Sequence, residues 1–366
     1  MKASVQAATK SIVRSRCSSA PCRFPHRRRS LAATFVGPAA LSLLVLGGGP
    51  GGGGRSHTFK SNLAMAFSTS VETQKSPKTT GTVQSDLWTD VAIDASKKFT
   101  VTQRQKLEDL GALDIERPTQ IIGESLRHVD DVSLLDANSK IIHFQRHGQG
   151  YHNLICDMWR ELGKPIDFDS TDPNLNPVVR EEFLDPPLTA LGVRQSKSVQ
   201  EHCSKLKPEV VICSPLRRCL ETAKLSFADH VGKVPWVAHE GCREELGLLV
   251  GNKRRPIKDI QVDHPDVDFS AMQHDDDVPW DNYGTERRET LLEKSERIYG
   301  FLTNIVRTRP EKEIAIVCHS AYLFTLLNAV MDIDDEDSDL RSWFLTAEVR
   351  SLKMTFKERD NENTGM

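Results

Sequence analysis

The chain has 366 residues, of which 38% are hydrophobic, and a formal net charge of −3. This apolar content is enough for a buried core and excludes a wholly disordered chain, and the length allows one large α/β domain or two ordinary ones. Residues 1–60 contain ten Lys or Arg and no acid, so the remaining chain has 38 basic against 51 acidic residues. That acidic excess argues against a non-specific nucleic-acid binder, because Lys and Arg dominate binding to phosphate backbones.

Residues 1–67 are predicted to be a targeting presequence with a glycine-rich linker. A basic start precedes the apolar run 31–46, which is shorter than the ~20 residues of a membrane span and is typical of a signal-sequence h-region. The glycine-rich run 47–55 follows no predicted strand and does not end in Gly-Lys-Ser/Thr. It is therefore predicted to be a flexible linker rather than a phosphate loop.

The expected location of the protein is the plastid. The signal-like run is followed by an Ala-x-Ala-Phe junction at 64–67, and this order resembles the two-part plastid presequences of algae with complex plastids. A mitochondrial presequence, or an uncleaved apolar segment that anchors the chain in a membrane, remains an alternative. Once the presequence is removed, we expect no stable membrane partner.

Residues 68–136 are polar and weakly patterned, and are predicted to form an N-terminal arm with two short helices near 101–110 and 118–127. The apolar run 140–145 predicts a strand. The segment 151–183, which holds several Pro and Asn, is predicted to be a long connection.

The next segment alternates between helical and strand patterns. Thr189 is a predicted N-cap of a helix that runs to about Lys207. A strand at 209–213, a helix at 216–227 and a strand at 234–239 follow. The alternation predicts an α/β domain with a largely parallel sheet.

The C-terminal part continues the same alternation. After a loop-like segment at 241–284, an amphipathic helix is predicted at 286–307 and a strongly apolar strand at 313–318. A helix at 322–331 and a final strand at 350–356 complete the pattern. We therefore assign the α/β domain to 137–357 and a short tail to 358–366.

Eight cysteines occur in the chain, and no two of them form a C-x-x-C pair. A disulfide scaffold is unexpected in a chain this long, and the spacing of a Cys₄ zinc site is missing. The cysteines are predicted to be reduced and mostly buried.

Three predicted strands end in residues that can carry chemistry. Arg146-His147 follows the first of these strands, Arg217-Arg218 lies just beyond the second, and His319 follows the third. Strand ends meet at one edge of a parallel sheet, so two imidazoles and two or three guanidiniums would line one pocket. Such a pocket suits a phosphate dianion, which imidazole can attack while guanidiniums offset the charge.

The departing alkoxide of a phosphate ester needs a proton, so the pocket also requires a carboxylic acid that stays protonated near neutrality. Glu244 or Glu245, in a turn just after a predicted strand, could supply this proton. This chemistry requires neither a metal nor another cofactor.

Four motifs in this order resemble the histidine phosphatase superfamily, also called phosphoglycerate mutase-like. They are the Arg-His-Gly triplet at 146–148, the segment 185–192 that opens a helix, the segment 214–222 with its Arg at 218, and the segment 317–320 that closes on His319. The stretches at 242–247, 253–255 and 274–280 are similar to a plant and algal branch of that superfamily.

This resemblance implies a three-layer α/β/α sandwich with a mostly parallel sheet. It also implies the role of each residue: His147 becomes phosphohistidine, and His319 completes a phosphate pocket with three further residues, Arg146, Asn153 and Arg218. In that branch the general acid aligns with Glu244, while Glu245 remains an alternative.

The expected activity is hydrolysis of a small phosphomonoester through phospho-His147. The chain lacks the Glu-Ser-x-Trp-Asn stretch that the glycolytic mutases carry after Arg-His-Gly, and has Gln149 to Asn153 in its place. Two alternatives stay open, namely a phosphoglycerate mutase that moves phosphate between hydroxyls and a non-catalytic phospholigand-binding protein. The expected partner is a small phosphorylated substrate rather than nucleic acid.

Several other charged or aromatic residues are interpreted as structural. His143 is predicted to be structural, whereas His152 is a candidate for substrate contact. Arg217 is expected to face solvent or a neighbouring acid. The basic run 253–255 and the acidic run 275–277 are predicted to be solvated, with steering of an anionic substrate as the alternative for the basic run.

Overall fold

The computed structural model describes residues 82–83, 90–113, 115–126 and 135–359. The predicted presequence at 1–67 and most of the predicted tail at 358–366 lie outside the described residues, and the division of the chain at 67, 136 and 357 stays a prediction.

A mixed β-sheet runs through the domain. Its strands within the described residues are β1 (Thr82–Val83), β2 (Thr119–Ser125), β3 (Ser139–Arg146), β4 (Val210–Cys213), β5 (Trp236–Ala238), β6 (Glu313–Cys318), β7 (Asp332–Ile333) and β8 (Val349–Glu358). The order is β5-β4-β6-β3-β8-β2-β7, and β1 pairs with β8. The four strands β5, β4, β6 and β3 are parallel to each other, whereas β8 runs antiparallel to its neighbours.

The helices lie between the strands in chain order. Within the described residues they are α1 (Asp90–Asp109), α2 (Tyr151–Glu161), α3 (Ala190–Ser198), α4 (Gln200–Cys203), α5 (Arg217–Ser226), α6 (Ile257–Asp263), α7 (Val278–Asp281), α8 (Leu291–Phe301) and α9 (Ser320–Thr325). π-helical turns at Leu302–Val306 and Leu326–Val330 extend α8 and α9. Short 3₁₀ helices lie at Pro177–Val179, Glu181–Phe183, Ala228–His230, Glu240–Cys242, Val250–Asn252 and Asp335–Arg341.

The two faces of the sheet pack against different helices because successive side chains of a strand point to opposite faces. On β6, Ile314 and Ile316 pack with α8 and α9, whereas Ala315 and Val317 pack with α4 to α6. The parallel strands are thus buried on both faces, which explains why their sequences are continuous apolar runs. The sheet and its two helical layers confirm the predicted α/β/α sandwich.

The strongest sequence patterns predicted the elements well. The predicted strand at 313–318 has the bounds of β6, and Thr189 caps α3 by accepting a hydrogen bond from the Gly192 N–H. Several predictions were wrong in whole or part. The helix at 118–127 is strand β2, the connection at 151–183 begins with α2, the loop at 241–284 contains α6 and α7, and the helix at 286–307 begins at Leu291. The short helix near 101–110 is the end of α1, which begins at Asp90, and the helix predicted to run to Lys207 is divided into α3 and α4 and ends at Cys203.

The sequence did not predict strand β2 because the strand with which it pairs lies far along the chain. Its residues alternate between buried and half-buried, and all seven pair with β8. β8 lies more than 200 residues away in sequence, so the short amphipathic run alone could not distinguish a strand from a helical turn.

The six cysteines in the described residues are buried and form no disulfide, which confirms the prediction for them; Cys17 and Cys22 lie outside the described residues. Among the described helices, none has both the length and the apolar character needed to cross a membrane.

Candidate active site

The carboxyl ends of β3, β4 and β6 meet at one edge of the sheet, where the sequence placed the candidate residues. Because β6 lies between β4 and β3 and all three are parallel, the residues after them converge. The rings of His147 and His319 lie 5.1 Å apart between centroids, and Arg218 contacts His147. The structure therefore brings together the two imidazoles that the sequence predicted to share a pocket.

His147 is held in one orientation and one tautomer. Its Nδ1 lies 2.6 Å from the Gly148 carbonyl oxygen, which can only accept, so the proton is on Nδ1. Its Nε2 then carries the lone pair and accepts from Arg218 Nε at 3.3 Å. Burial first, and then the charges of Arg218 and Arg146, hold the pKa of His147 well below its usual 6.5. The ring is therefore neutral at physiological pH.

The two guanidiniums are fixed by backbone carbonyls and an amide rather than by carboxylates. Arg218 donates from Nη1 to Gly251 O at 2.7 Å and from Nη2 to Asn252 Oδ1 at 2.9 Å. Arg146 donates from Nη1 to Phe344 O at 2.7 Å. Its Nε is buried, and no acceptor among the described residues lies within hydrogen-bonding distance. The positive charges of both groups are therefore left for an anion.

Burial lowers the pKa of Arg146 to about 10, partly opposed by the carboxylate charge of Glu244. Arg146 therefore keeps its proton near neutrality. Burial also lowers the pKa of Arg218, in the direction expected for a cation without an adjacent carboxylate.

His319 lies next to His147, at the N-cap of α9. Its Nε2 contacts Ser214 Oγ at 2.8 Å and the Cys219 sulfur at 3.4 Å. Burial, followed by the charge of Arg218, lowers the pKa of His319 well below 6.5. The ring is therefore a second neutral imidazole beside the first.

Glu244 and Glu245 are adjacent in sequence but lie in different electrostatic environments. The carboxylate of Glu244 accepts from the backbone N–H groups of Tyr322 and Ala321 at the start of α9, at 3.0 and 3.2 Å. Burial and the neighbouring charge of Glu245 raise the pKa of Glu244. This is the direction that a proton donor needs.

Glu245 is bound by two cations. Its carboxylate lies 2.7 Å from Lys294 Nζ and 2.8 Å from Arg288 Nη1. Burial alone would raise the pKa of Glu245, but Lys294 and Arg288 hold it below its ordinary value. Glu245 is therefore a stable carboxylate, and the pKa values of the two glutamates are shifted in opposite directions.

The start of α2 contributes two further side chains. Asn153 caps the helix, since its Oδ1 accepts from the Gly150 N–H at 3.0 Å. The His152 ring lies 5.4 Å from that of His147 between centroids. Its Nδ1 is buried, and no described residue lies within hydrogen-bonding distance of it. Burial, with the charge of Arg218, lowers the pKa of His152 well below 6.5.

The segment 185–192 holds the loop that follows His147. A Cβ on Gly148 would lie 2.5 Å from Gly192 O, and a Cβ on Gly192 would overlap the backbone of Gln149. Thr189 Oγ1 donates to the Gln149 side chain at 2.9 Å. The two glycines thus allow the N-terminus of α3 to pack directly on the loop, which explains the motif in physical terms.

The structural interpretation of Arg217 is confirmed, because Arg217 pairs with Glu221 at 2.7 Å. His143 is bound at both ring nitrogens, by Ser351 Oγ at 2.7 Å and Glu313 Oε1 at 2.9 Å, and is structural as predicted.

The prediction of a solvated basic run at 253–255 was wrong. Arg254 is buried and pairs with Glu240 at 2.9 Å, and Arg255 bonds Asp185 and Asp263. Lys253 bonds Asp281 at 2.7 Å. The sequence did not reveal these ion pairs, because the acidic partners come close to the basic run only when the segment folds back on itself. They also mean that the run is largely neutralised, which disfavours the steering alternative.

The prediction of a solvated acidic run at 275–277 was wrong for Asp277. Its carboxylate is buried and makes two bonds to Arg243, at 2.6 and 2.7 Å. It also accepts from the Arg254 backbone N–H at 2.7 Å. Asp277 therefore anchors the segment that carries Glu244 rather than facing solvent.

Sequence reasoning missed the groups that orient the guanidiniums. Gly251 O and Phe344 O are backbone atoms with no residue-type signal, and Asn252 lies in a segment predicted to be a loop. Thr222, whose Oγ1 accepts from the Gly148 N–H at 2.9 Å, ends the motif at 214–222. The place of Thr222 in that motif is the sequence signal from which its role could have been predicted.

Comparison with known proteins gives a family for this arrangement. The family model "Histidine phosphatase superfamily (branch 1)" matches residues 170–362. This match includes Arg218, Glu244 and His319 and begins after the Arg146-His147-Gly148 triplet.

Individual relatives include proteins described as mutase-like and as phosphatases. The chain is 31% identical over 245 residues to "Phosphoglycerate mutase-like protein 1" of Arabidopsis thaliana, covering 58% of this chain and 80% of the relative. It is 29% identical over 195 residues to a probable phosphatase of Schizosaccharomyces pombe, covering 49% and 74%. A solved mycobacterial glucosyl-3-phosphoglycerate phosphatase is 17% identical, with a TM-score of 0.36, covering 60% of this chain and 97% of that one.

Proposed function

The chain belongs to branch 1 of the histidine phosphatase superfamily, and on this premise we propose that it hydrolyses a small phosphomonoester through a phosphohistidine at His147. The observation that carries the proposal is the state of His147. Its proton is fixed on Nδ1 by a backbone carbonyl, and its Nε2 lone pair faces Arg218. A neutral imidazole with that nitrogen free of a carboxylate is a nucleophile.

In the first step, His147 Nε2 attacks phosphorus and forms a P–N bond while the ester P–O bond breaks. Arg146 and Arg218 bind the non-bridging oxygens, and their charges offset the negative charge that develops on them. The departing alkoxide takes a proton from Glu244. The raised pKa of Glu244 keeps that proton available closer to neutrality than an ordinary glutamic acid would.

In the second step, Glu244 is a carboxylate and takes a proton from water. The water oxygen attacks phosphorus, the P–N bond breaks, and the electron pair returns to His147 Nε2. The products are the alcohol from the first step and inorganic phosphate, and the enzyme regains its starting protonation state. His319 and the side-chain amide of Asn153 complete the proposed phosphate site.

A second candidate is phosphoryl transfer to another hydroxyl, as in a phosphoglycerate mutase. The naming of the Arabidopsis relative as mutase-like favours it. The two reactions share the first step and differ only in whether water or a substrate hydroxyl accepts the phosphoryl group. A catalytically idle phospholigand-binding protein is the third possibility, and the nucleophile, the guanidiniums and the raised pKa of Glu244 argue against it.

The experiment is a phosphate-release assay over sugar phosphates, glycolytic acids, nucleotides and phosphopeptides, with 3-phosphoglycerate assayed with and without its bisphosphate primer. We expect phosphate release from at least one small phosphomonoester, with no dependence on primer. Because guanidiniums supply the positive charge, we also expect EDTA to leave the rate unchanged. Primer-dependent isomerisation without phosphate release would establish the mutase instead, and strong inhibition by EDTA would indicate different chemistry.

We further propose that residues 1–67 direct the protein to the plastid. A fusion of residues 1–67 to a fluorescent protein, expressed in an alga with complex plastids, tests this. Plastid fluorescence supports the proposal, whereas a mitochondrial or membrane-bound signal supports one of the alternatives.

A further inference from the structure

The loop between Ser342 and β8 holds the first candidate phosphate-binding arginine. Phe344 O accepts from Arg146 Nη1 at 2.7 Å, and Glu348 O accepts from the Arg146 backbone N–H at 3.1 Å. The Ala347 N–H donates to His147 O at 3.1 Å. The position of this loop therefore sets the position of Arg146 and of the backbone at His147.

The loop is bound by a buried arginine of β8. Arg350 donates to Ser342 O at 2.6 Å and to Trp343 O at 3.3 Å, and its guanidinium lies 3.8 Å from the centre of the Phe344 ring. Arg350 Nε also bonds Glu348 at 2.7 Å. Arg350 thus binds the carbonyl oxygens of the two residues that precede Phe344.

The same loop is also bound by α1. Ser96 Oγ donates to Trp343 O at 2.8 Å, and Thr100 Oγ1 accepts from the Trp343 N–H at 2.8 Å. The Phe99 ring packs edge-on against the Trp343 ring at 4.6 Å between centroids. Both backbone groups of the residue that precedes Phe344 are therefore bound by two hydroxyls on successive turns of one helix.

A second contact keeps α1 in register with the loop. Arg104, one turn further along, donates to Asn328 Oδ1 at 3.0 Å, and Asn328 Nδ2 donates to Arg341 O at 3.0 Å. The helix α1 lies ahead of the residues that the family model matches. The contact between α1 and the rest of the domain is specific, because it includes hydrogen bonds between polar groups in addition to the packing of two aromatic rings.

A guanidinium binds phosphate through parallel donors only when its plane is held in place, and a misplacement of 1 Å can cost up to about 10²-fold in rate. We propose that Ser96, Phe99 and Thr100 are positioning residues, which act through Trp343 and Phe344 to hold Arg146 in its phosphate-binding orientation. This inference rests on the proposed phosphate site.

The test is the double variant Ser96→Ala/Thr100→Val in the full chain, with binding of inorganic phosphate measured by calorimetry and with kcat and KM for the best phosphomonoester. We expect phosphate affinity to fall about tenfold and KM to rise by a similar factor. Thr102→Ala is the matched control, because the exposed Thr102 bonds Lys98 O and no other group among the described residues. Thr100→Ser keeps the hydroxyl and is expected to retain wild-type affinity.

A double-mutant cycle separates positioning from general stability. In an Arg146→Lys background, the α1 variant is expected to change phosphate affinity less than twofold, because the group that it positions has been removed. An equal loss in both backgrounds would overturn the inference, as would wild-type affinity in the double variant. If the unsubstituted protein binds no phosphate and releases none from any substrate, the proposed function fails instead.

Discussion

Two histidines on the same segment, His143 within β3 and His147 just beyond its end, are both buried but have opposite neighbours. His143 is bound at both ring nitrogens, with a carboxylate on one side. His147 is bound at Nδ1 by a carbonyl and faces the guanidinium of Arg218 at Nε2. The two buried rings therefore differ in the charge next to the second nitrogen, which is a carboxylate for His143 and a guanidinium for His147.

The difference follows from the position of each residue along the strand. His143 is paired on both sides by β6 and β8, where neighbouring strands supply Glu313 and Ser351. His147 lies beyond the last paired residue, where the first turn of α5 supplies the guanidinium of Arg218. The edge of the sheet is thus the part of the fold where a ring nitrogen faces a cation rather than a carboxylate.

The largest expected effect is on turnover by His147→Ala. Removal of the nucleophile is expected to reduce kcat by at least about 10³-fold, while the same change at His143 leaves kcat within about twofold. Steady-state phosphate release measures both. Equal losses of kcat in His147→Ala and His143→Ala would contradict the different roles assigned to the two histidines.

The next largest effect concerns the paired glutamates. Glu244→Gln is expected to slow hydrolysis of an alkyl phosphate about 10²-fold but to slow p-nitrophenyl phosphate far less, because its phenolate leaves with little protonation. Glu245→Gln is the matched control and should show no dependence on the leaving group. Equal losses on both substrates in Glu244→Gln would assign the acid to another residue.

A smaller effect is expected on stability. His143→Gln should lower the free energy of unfolding by about 1–3 kcal/mol, because it weakens the buried contacts with Glu313 and Ser351. Urea denaturation measures this loss. His143 would be dispensable for folding if the midpoint matched that of the unsubstituted protein.

The smallest effect is the contribution of a single histidine to the pH dependence of stability. The lowered pKa values of His147, His152 and His319 mean that below about pH 6.5 the unfolded chain binds protons that the folded chain does not. Stability is thus fully present above that pH and falls as the pH decreases, by up to ~1.4 kcal/mol per pH unit for each such histidine. His147→Ala should show a shallower slope between pH 6.5 and 5 in phosphate-free urea titrations, and an unchanged slope would contradict the neutral state of His147.

The residues at this edge of the sheet could be predicted from the sequence because the patterns that specify them are local. Apolar strands such as 313–318, and the residues just after them, specify both the fold and the place where His147, Arg218 and His319 meet. The N-cap at Thr189 is a similarly local signal.

What the sequence left open depends on distant partners. Lys294 and Arg288, which hold the pKa of Glu245 below its ordinary value while that of Glu244 is raised, lie more than 40 residues away. The guanidinium of Arg146 is oriented by a hydrogen bond to the backbone carbonyl of Phe344, and every residue type has such a carbonyl. The paired state of Arg254 and Asp277 was missed for the same reason, since their partners are set by how the segment folds back.

The central claim is that His147, and not another buried histidine, carries the phosphoryl group. Rapid alkaline quenching of the protein during turnover of a ³²P-labelled phosphomonoester, followed by peptide mapping, tests this directly. We expect alkali-stable, acid-labile label on the peptide that contains His147, placed on that ring by sequencing. Turnover without such label, or label on His152 or His319 instead, would contradict the account.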